Sequence, residues 1–435
     1  MNGSTSTGAE TPGTVNGTGG VLGELRAAGA AAFATLGYPT RRNEDWRYTS
    51  VSSIADAKFT PALERPAGGL PNAAALAPYT FGAQWPLLVF VNGRFTPSLS
   101  LMDALPDGVR VMTLAQAATQ EPELLARHLG AAVPADRDGF SALNASNASE
   151  GMLVHIAKEM VSDTPVHVLH VTDTQGANTS SHPRHLIIAE RHAKASVIQT
   201  YAGLADVPYL TNAVTEVFVE DGATLNLMQV QRESRTGFHV STIEARQRRD
   251  SHFVAFTFQT GGELSRSNVY TVLAGEGCGT TINGLYILDG DQHGDHQTRV
   301  EHVAPNCFSR EMYKGLLDGS SHGVFNGKVY VHPEAQKTDG KQTNNTLLLS
   351  DKARIDTKPQ LEIFADDVKC THGATIGRMD EMSLFYLKSR GVGSKLAKQL
   401  LMYAFAADVL ETIENPAVVA DLERMTLARF TGAKA

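Results

Sequence analysis

The sequence predicts a mainly β protein: a parallel β-helix core flanked by an α/β N-terminal region and a C-terminal helical region. Three observations carry this expectation. Between residues 151 and 376 helical periodicity vanishes, and short runs rich in Val, Ile, Thr and Phe alternate with Gly, Asp and Asn turns. VHVLHVT (166–172), HLIIAE (185–190), ASVIQTYA (195–202), AVTEVFVE (213–220), ATLNLMQV (223–230), HFVAFTFQ (252–259) and KVYVH (328–332) are examples. Small turns of one type precede several runs, at Ala193-Lys194-Ala195, Asp221-Gly222-Ala223 and Asp351-Lys352-Ala353. The stretch is also too long for a single sandwich of about 100 residues. Stacked coils, each burying its neighbour's apolar face, accommodate it. The repeat is loose, and the sequence does not fix its period.

The remaining elements follow in chain order. Residues 1–20, MNGSTSTGAETPGTVNGTGG, contain no Lys or Arg and no apolar core, so they read as a flexible tail and not as a signal peptide. Residues 21–150 read as the α/β region. It opens with an amphipathic helix over 21–36, stopped by Gly37 and Pro39. Asn92-Gly93 between the apolar runs of PLLVFVNGRFT (86–96) signals a hairpin, because a type I′ turn needs positive φ at both central residues. Segments 114–130 and 139–148 look helical. The core occupies 151–376, and helix returns over 377–435. There, 380–390 ends at Gly391, a C-cap candidate. Ser394 is placed to cap a helix over 395–414, and Pro416 suits the first turn of another over 416–429. Leu396, Leu400, Tyr403, Ala407 and Leu410 share one face of the middle helix, and Leu401, Met402 and Phe405 widen it. That face either packs on the β-helix as a cap or docks a partner.

Composition narrows the function. A chain of 435 residues points to two or three domains. With 42% hydrophobic and 19% charged residues, a sizeable core is available and global disorder is excluded. The net charge of −8 argues against nucleic-acid partners and anionic membrane surfaces. No apolar run approaches the ~20 residues that span a bilayer. Cys278, Cys307 and Cys370 are scattered, odd in number and form no CxxC. A disulfide framework is therefore excluded, a reducing cytoplasmic setting is expected, and these thiols alone cannot hold a four-cysteine site.

Three segments could carry chemistry. In DDVKCTHGAT (366–375), a strand would put Cys370 and His372 on one face, since side chains alternate with period two. A thiolate beside an imidazole suits iron, zinc or copper. The alternative is a buried structural Cys and an exposed His. In DGDQHGDHQTRVEH (289–302), His296, Glu301 and His302 could bind a metal, or His293 and Asp295 could form an acid–base pair. The alternative is a β-helix turn whose polar groups satisfy the backbone. In NEDWRYT (43–49), Trp46 and Tyr48 either form a recognition edge or anchor a terminal arm. No phosphate loop is present: Gly323 to Lys328 has the wrong spacing and lacks the hydroxyl residue. Gly391-Val392-Gly393-Ser394-Lys395 also fails, no G-x-G-x-x-G is complete and there is no G-x-S-x-G, so no nucleotide is expected to bind this chain.

DVKCTHGATIG (367–377), LFYLKSRGV (384–392), DQHGDHQTRVEH (291–302), FNGKVYV (325–331), KTDGKQTNNTLLLSD (337–351), KPQLEI (358–363) and NEDWRYT (43–49) together resemble the SufB/SufD family of the SUF iron–sulfur assembly machine, and they occur in the family's order along the chain. The similarity runs from about residue 40 to about 415, and the intact Cys-Thr-His-Gly-Ala-Thr resembles the SufD branch. The resemblance implies a right-handed parallel β-helix and a non-enzymatic scaffold. It implies pairing with SufB through the β-helices and docking of the ATPase SufC on the C-terminal helices, with Phe385, Tyr386, Ser389, Arg390 and Gly391 as docking residues. It implies that Cys370 and His372 meet iron and a nascent iron–sulfur cluster at the SufB interface, His372 being the main ligand. It links the complex to reduced flavin, for which no motif here provides a site, and allows a homodimer when SufB is absent. Two other readings are a solitary β-helix acting on polysaccharide, which only two Trp disfavour, and a His-cluster metalloprotein centred on 293–302.

Overall fold

The computed structural model describes residues 20–62, 69–82, 84–174 and 178–431. Apart from Gly20, the tail expected over 1–20 lies outside them. The chain forms a mainly β solenoid of about 8 turns, with an α/β region before it and helices after it. Successive strands go to alternate sheets, so each coil contributes one strand to each. One sheet runs from Val109–Thr113 to Arg354–Ile363, the other from Arg94–Phe95 through Leu87–Val91 to Lys369–Arg378. Strands of adjacent coils pair in parallel. Leu264 pairs with His293 and His293 with His322, so a coil here takes 29 residues (293 − 264 and 322 − 293). Elsewhere His252 pairs with Gly279, a step of 27 (279 − 252), and His322 with Arg354, a step of 32 (354 − 322). This variation is why no single period stands out in the sequence.

Asp351-Lys352-Ala353 precedes a strand of the first sheet, whereas the small turns at 193–195 and 221–223 precede strands of the second and belong to one corner of the solenoid. His192, Gly222, Asp250, Gly277, Asn306 and Lys337 all have positive φ there. Each of their N–H groups donates to a carbonyl of the next coil, for example Gly222 to Arg249 and Asn306 to Gln336. The residues that follow stack as a buried ladder of small side chains: Ala193, Ala223, Ser251, Cys278, Cys307 and Thr338. Cys278 and Cys307 are therefore rungs of a corner, and the Cys278 thiol donates to the Arg248 carbonyl at 2.8 Å.

The N-terminal region forms one end and covers one outer face. Leu87–Val91 adds to the second sheet in parallel with Val166–Thr172 and turns back through Asn92-Gly93, at φ 51° and 77°, into Arg94–Phe95. Val109–Thr113 adds antiparallel to Met152–Ile156 at the same end of the first sheet. Trp46, Ile54, Phe59 and Phe140 pack on the outward Leu210, Phe238, Val240 and Leu264. The segment 43–49 is an anchor. The Arg266 guanidinium lies 3.8 Å from the centre of the Trp46 ring, a cation–π contact, and donates to Asp295 at 2.7 Å. Thr49 donates to the same carboxylate at 2.6 Å. Burial alone would raise the Asp295 carboxyl, but Arg266, Thr49, His293 and Gln297 together more than offset this and hold it below the usual range. The helix expected over 114–130 is two, Leu114–Gln120 and Pro122–His128, because Pro122 begins a new first turn.

The C-terminal helices cover the outer face of the second sheet. Met402, Ala406, Val409, Leu410, Val418, Leu422 and Met425 pack on Ile198, Met228, Phe256, Leu285, Ile287 and Leu316. The face read from sequence is thus rotated. Leu396 and Leu400 are exposed, and the buried stripe runs through Met402, Ala406 and Val409. The helix Ser394–Leu410 begins at Ser394 with Gly393 as N-cap, so Ser394 is its first residue and not its cap.

A fully buried ion pair ties the N-terminal region to the solenoid. Arg184 donates to Glu216 from Nε at 3.0 Å and Nη2 at 2.8 Å, and to the Val133 carbonyl at 2.6 Å. The same carboxylate accepts from the backbone N–H of Gly130, Ala132 and Val133. Removing one partner strands the other charge in the core. Arg184→Leu is therefore expected to destabilise the fold by about 3–5 kcal/mol, measured by urea unfolding; a loss below about 1 kcal/mol would contradict this role.

Candidate functional site

The two ends of the solenoid differ. One ends in short strands of the N-terminal region, the two residues of Arg94–Phe95 and the five of Val109–Thr113. At the other, Arg354–Ile363 and Lys369–Arg378 are each the last strand of a sheet, paired on one side only. Every residue of Lys369–Arg378 except the half-buried Cys370 is exposed. Ile363, Phe364 and Ile376 are large apolar side chains left in contact with solvent here. An edge strand of ten residues offers a row of free N–H and C=O groups, which other proteins blunt with charge, proline or cover. Arg354–Ile363 carries Pro359 at its centre, which removes a donor and suits an edge. Lys369–Arg378 has no proline, so it is the edge with its full complement of donors.

Cys370 and His372 lie on this edge strand, on one face as the alternation requires. Cys370 is in register with Gly340, and its side chain packs against Val329, Val331, Ala335 and Ala365. That places it on the side facing the solenoid interior, which is open here because no further coil covers it. Burial is the main cause that pushes the Cys370 thiol up. His372 is in register with Gln342 and is exposed.

Behind His372 the interior is polar. Gln342 is in register with Glu311 on the coil before, and donates to its Oε1 at 3.1 Å. Gly327 opposite leaves room for this: a Cβ there would stand 2.4 Å from the Gln342 amide nitrogen. Around them Asn344 donates to Thr357 at 3.2 Å, Tyr286 reaches Asn344 and Thr346, and His302 meets the Ser309 hydroxyl at 3.0 Å. Burial pushes Glu311 up to about 7 and holds His296 and His302 down at about 4.

The other sequence candidates do not converge. His293 and Asp295 meet Thr49 on the outer face of the first sheet, while His296 and His302 point inward. Glu301 pairs outside with Arg299 and His332. Among the described residues no group of three His, Cys, Asp or Glu could hold a metal. Phe385 and Tyr386 are exposed on Glu381–Ser389, a helix that buries none of its residues. Ser389 donates to the Tyr386 carbonyl at 2.7 Å, and the Arg390 guanidinium lies 5.2 Å from the centre of the Tyr386 ring. Gly391 ends the helix at φ 86°, as its place in the sequence predicts. Glu311 and Gln342 escaped sequence reasoning. Their signal was their place one and two coils ahead of His372, visible only once the coil length is known.

Residues 170–405 match the family described as SUF system FeS cluster assembly, SufBD core domain, and residues 15–168 match the SufBD protein N-terminal region. The chain is 32% identical over 397 residues to the iron–sulfur cluster assembly protein SufD of Escherichia coli, covering 91% of this chain and 89% of that protein. It is 32% identical over 401 residues to an iron–sulfur cluster assembly SufBD family protein of Synechocystis, covering 90% and 88%. It is 28% identical over 331 residues to SufD of Bacillus subtilis, covering 75% of each.

The raised Glu311 carboxyl has a stability consequence with a definite sign. The fold favours the neutral acid, so its penalty is absent below the ordinary value of 4.5, grows as pH rises towards 7, and is constant above. Glu311→Gln keeps the shape without the charge. It is expected to be more stable than wild type at pH 8, by up to about 3 kcal/mol, with the difference gone by about pH 4. Urea unfolding of the two proteins across this range measures it.

Proposed function

The chain belongs to the SufBD family of the SUF iron–sulfur cluster assembly system, and from that premise we propose that it is a scaffold subunit without enzymatic activity of its own. Its open edge is completed by the related subunit SufB, and the cluster forms at the seam. The observation that carries this reading is the asymmetry of the ends: one solenoid terminus finishes in strands of two and five residues, and the other presents a ten-residue strand, free along its outer side, that bears Cys370 and His372.

The iron–sulfur cluster is cargo here. Cys370 and His372 supply one thiol and one imidazole, a soft and a borderline donor suited to iron. Cys278 and Cys307 are corner rungs, which supports the need for ligands from a second subunit. Backbone pairing along Lys369–Arg378 would fix the register of the two chains, and Ile363, Phe364 and Ile376 would lose their exposed apolar surface.

The helix Glu381–Ser389 would dock SufC through Met382, Phe385 and Tyr386, the most exposed large side chains on it. Ser389, Arg390 and Gly391 shape the end of that surface. Only Met379 and Asp380 separate the edge strand from this helix. A pull on the helix when SufC closes on ATP would therefore act directly on the strand that carries the ligands. SufC must bind the two arrangements with different affinity, or ATP would shift nothing. Trp46 is buried, which removes one of two candidate sugar platforms and weighs against the polysaccharide reading.

His372→Ala is expected to abolish cluster formation on anaerobic reconstitution while the complex with SufB and SufC still co-purifies. A mutant complex that acquires a full cluster, seen by absorption spectroscopy, would overturn the site assignment. Phe385→Glu is expected to weaken SufC capture at least about tenfold and leave SufB pairing intact; unchanged SufC retention on co-purification would remove this helix from the docking surface.

A further inference from the structure

Glu311 is a buried carboxyl with no cationic partner among the described residues. The groups that face it are Gln342 on the next coil, Ile282 on the coil before, Thr298, His296 and His302 on the opposite strand, and Ser309 and Tyr313 on its own. The titratable ones among them are neutral near pH 7: burial lowers both histidines and raises Tyr313. Four polar groups of this part of the interior are fully buried yet incompletely partnered: Glu311 at Oε2, Gln342 at Oε1, His302 at Nδ1, and His296 at both ring nitrogens. Buried polar atoms of this kind hold water where there is room and several partners. The site lies two strands behind His372, about 10 Å at the usual strand spacing, on the column Glu311, Gln342, His372.

We propose that Glu311 is the proton acceptor of the open edge, joined to it through Gln342 and water held by the unpartnered interior groups. The proposal rests on the reading of that edge as the place where iron is bound. A thiol that binds a divalent iron ion must lose its proton. Written in full, the Cys370 thiol, the iron ion and the Glu311 carboxylate become an iron-bound thiolate and a neutral Glu311 carboxylic acid. No oxidant or reductant is consumed, and the total charge is unchanged. A buried carboxyl suits this task because it can hold the proton in the interior without leaving an uncompensated charge there, and its affinity for a proton is matched to neutral pH. Glu311 touches neither iron nor its ligands, so it is a positioning and proton-accepting residue, not a ligand.

The test uses the full chain and its complex. Infrared difference titration of the full-length protein should show one carboxylic acid band that titrates near neutral pH and is missing in Glu311→Gln. In the complex with SufB and SufC, anaerobic reconstitution should speed up with pH along a limb centred near 7. Glu311→Gln should lose that limb and run about tenfold slower or more at pH 8. Retention of the same limb in the variant would overturn the proposal, as would the absence of any carboxyl titrating above the ordinary range. If Glu311→Gln fails to assemble, the infrared titration of the wild-type chain decides by itself. Failure here is separable from failure of the scaffold reading: a His372→Ala complex that builds clusters normally removes the edge site, whereas an unchanged pH limb in Glu311→Gln removes only the acceptor.

Discussion

Backbone hydrogen bonding between coils holds this solenoid together, and it imposes a condition that a closed sheet does not face. Each coil satisfies the donors and acceptors of the one before it, so the stack must end somewhere with a strand whose outer row is free. At one end the chain meets this by finishing both sheets in short strands of its N-terminal region, Arg94–Phe95 and Val109–Thr113, which keep the free row short. At the other it does not, although helices follow immediately in sequence. Those helices turn aside and cover the outer face of the second sheet, through Met402, Ala406, Val409 and Leu422. The free row on Lys369–Arg378 is the result, and Cys370 and His372 sit on it.

The interior adds a second constraint. Most of the core is an apolar stack of Val, Leu, Ile and Phe. Beside it part of the interior is lined along the whole solenoid by polar side chains, from His170, His185, Gln199 and His239 near the N-terminal end to Glu311, Gln342 and Asn344 near the open end, linked by hydrogen bonds. Polar groups are costly to bury, and a solenoid needing only stability would fill these positions with aliphatic side chains. The stretch of this polar lining behind Cys370 and His372 includes Glu311, Gln342, His296 and His302, each with buried atoms left unpartnered.

Much of this was legible in the sequence. Runs of β-branched residues without helical periodicity gave the solenoid, Asn92-Gly93 the hairpin, and the recurrent Gly and Ala the corner ladder. The Cys-x-His spacing placed both side chains on one face. What was hidden depends on register. Coils of 26 to 33 residues (264 − 238 and 186 − 153) defeat a search for one period, as the pairs Phe238–Leu264 and Leu153–Leu186 show. Without the period, Glu311 and Gln342 had no visible relation to His372. Helix orientation was hidden too. Leu396 and Leu400 satisfy the helical pattern as well as Met402 and Ala406 do, and only the shape of the sheet beneath selects between them.

The central claim is that Lys369–Arg378 is an unfinished edge which another chain completes. Amide hydrogen exchange along 369–378 measures this directly, comparing the chain alone with the chain bound to SufB. Fast exchange alone and strong protection in the complex, confined to alternate amides of the strand, is the expected result. Equally fast exchange in both states, with protection appearing elsewhere on the solenoid, would contradict it.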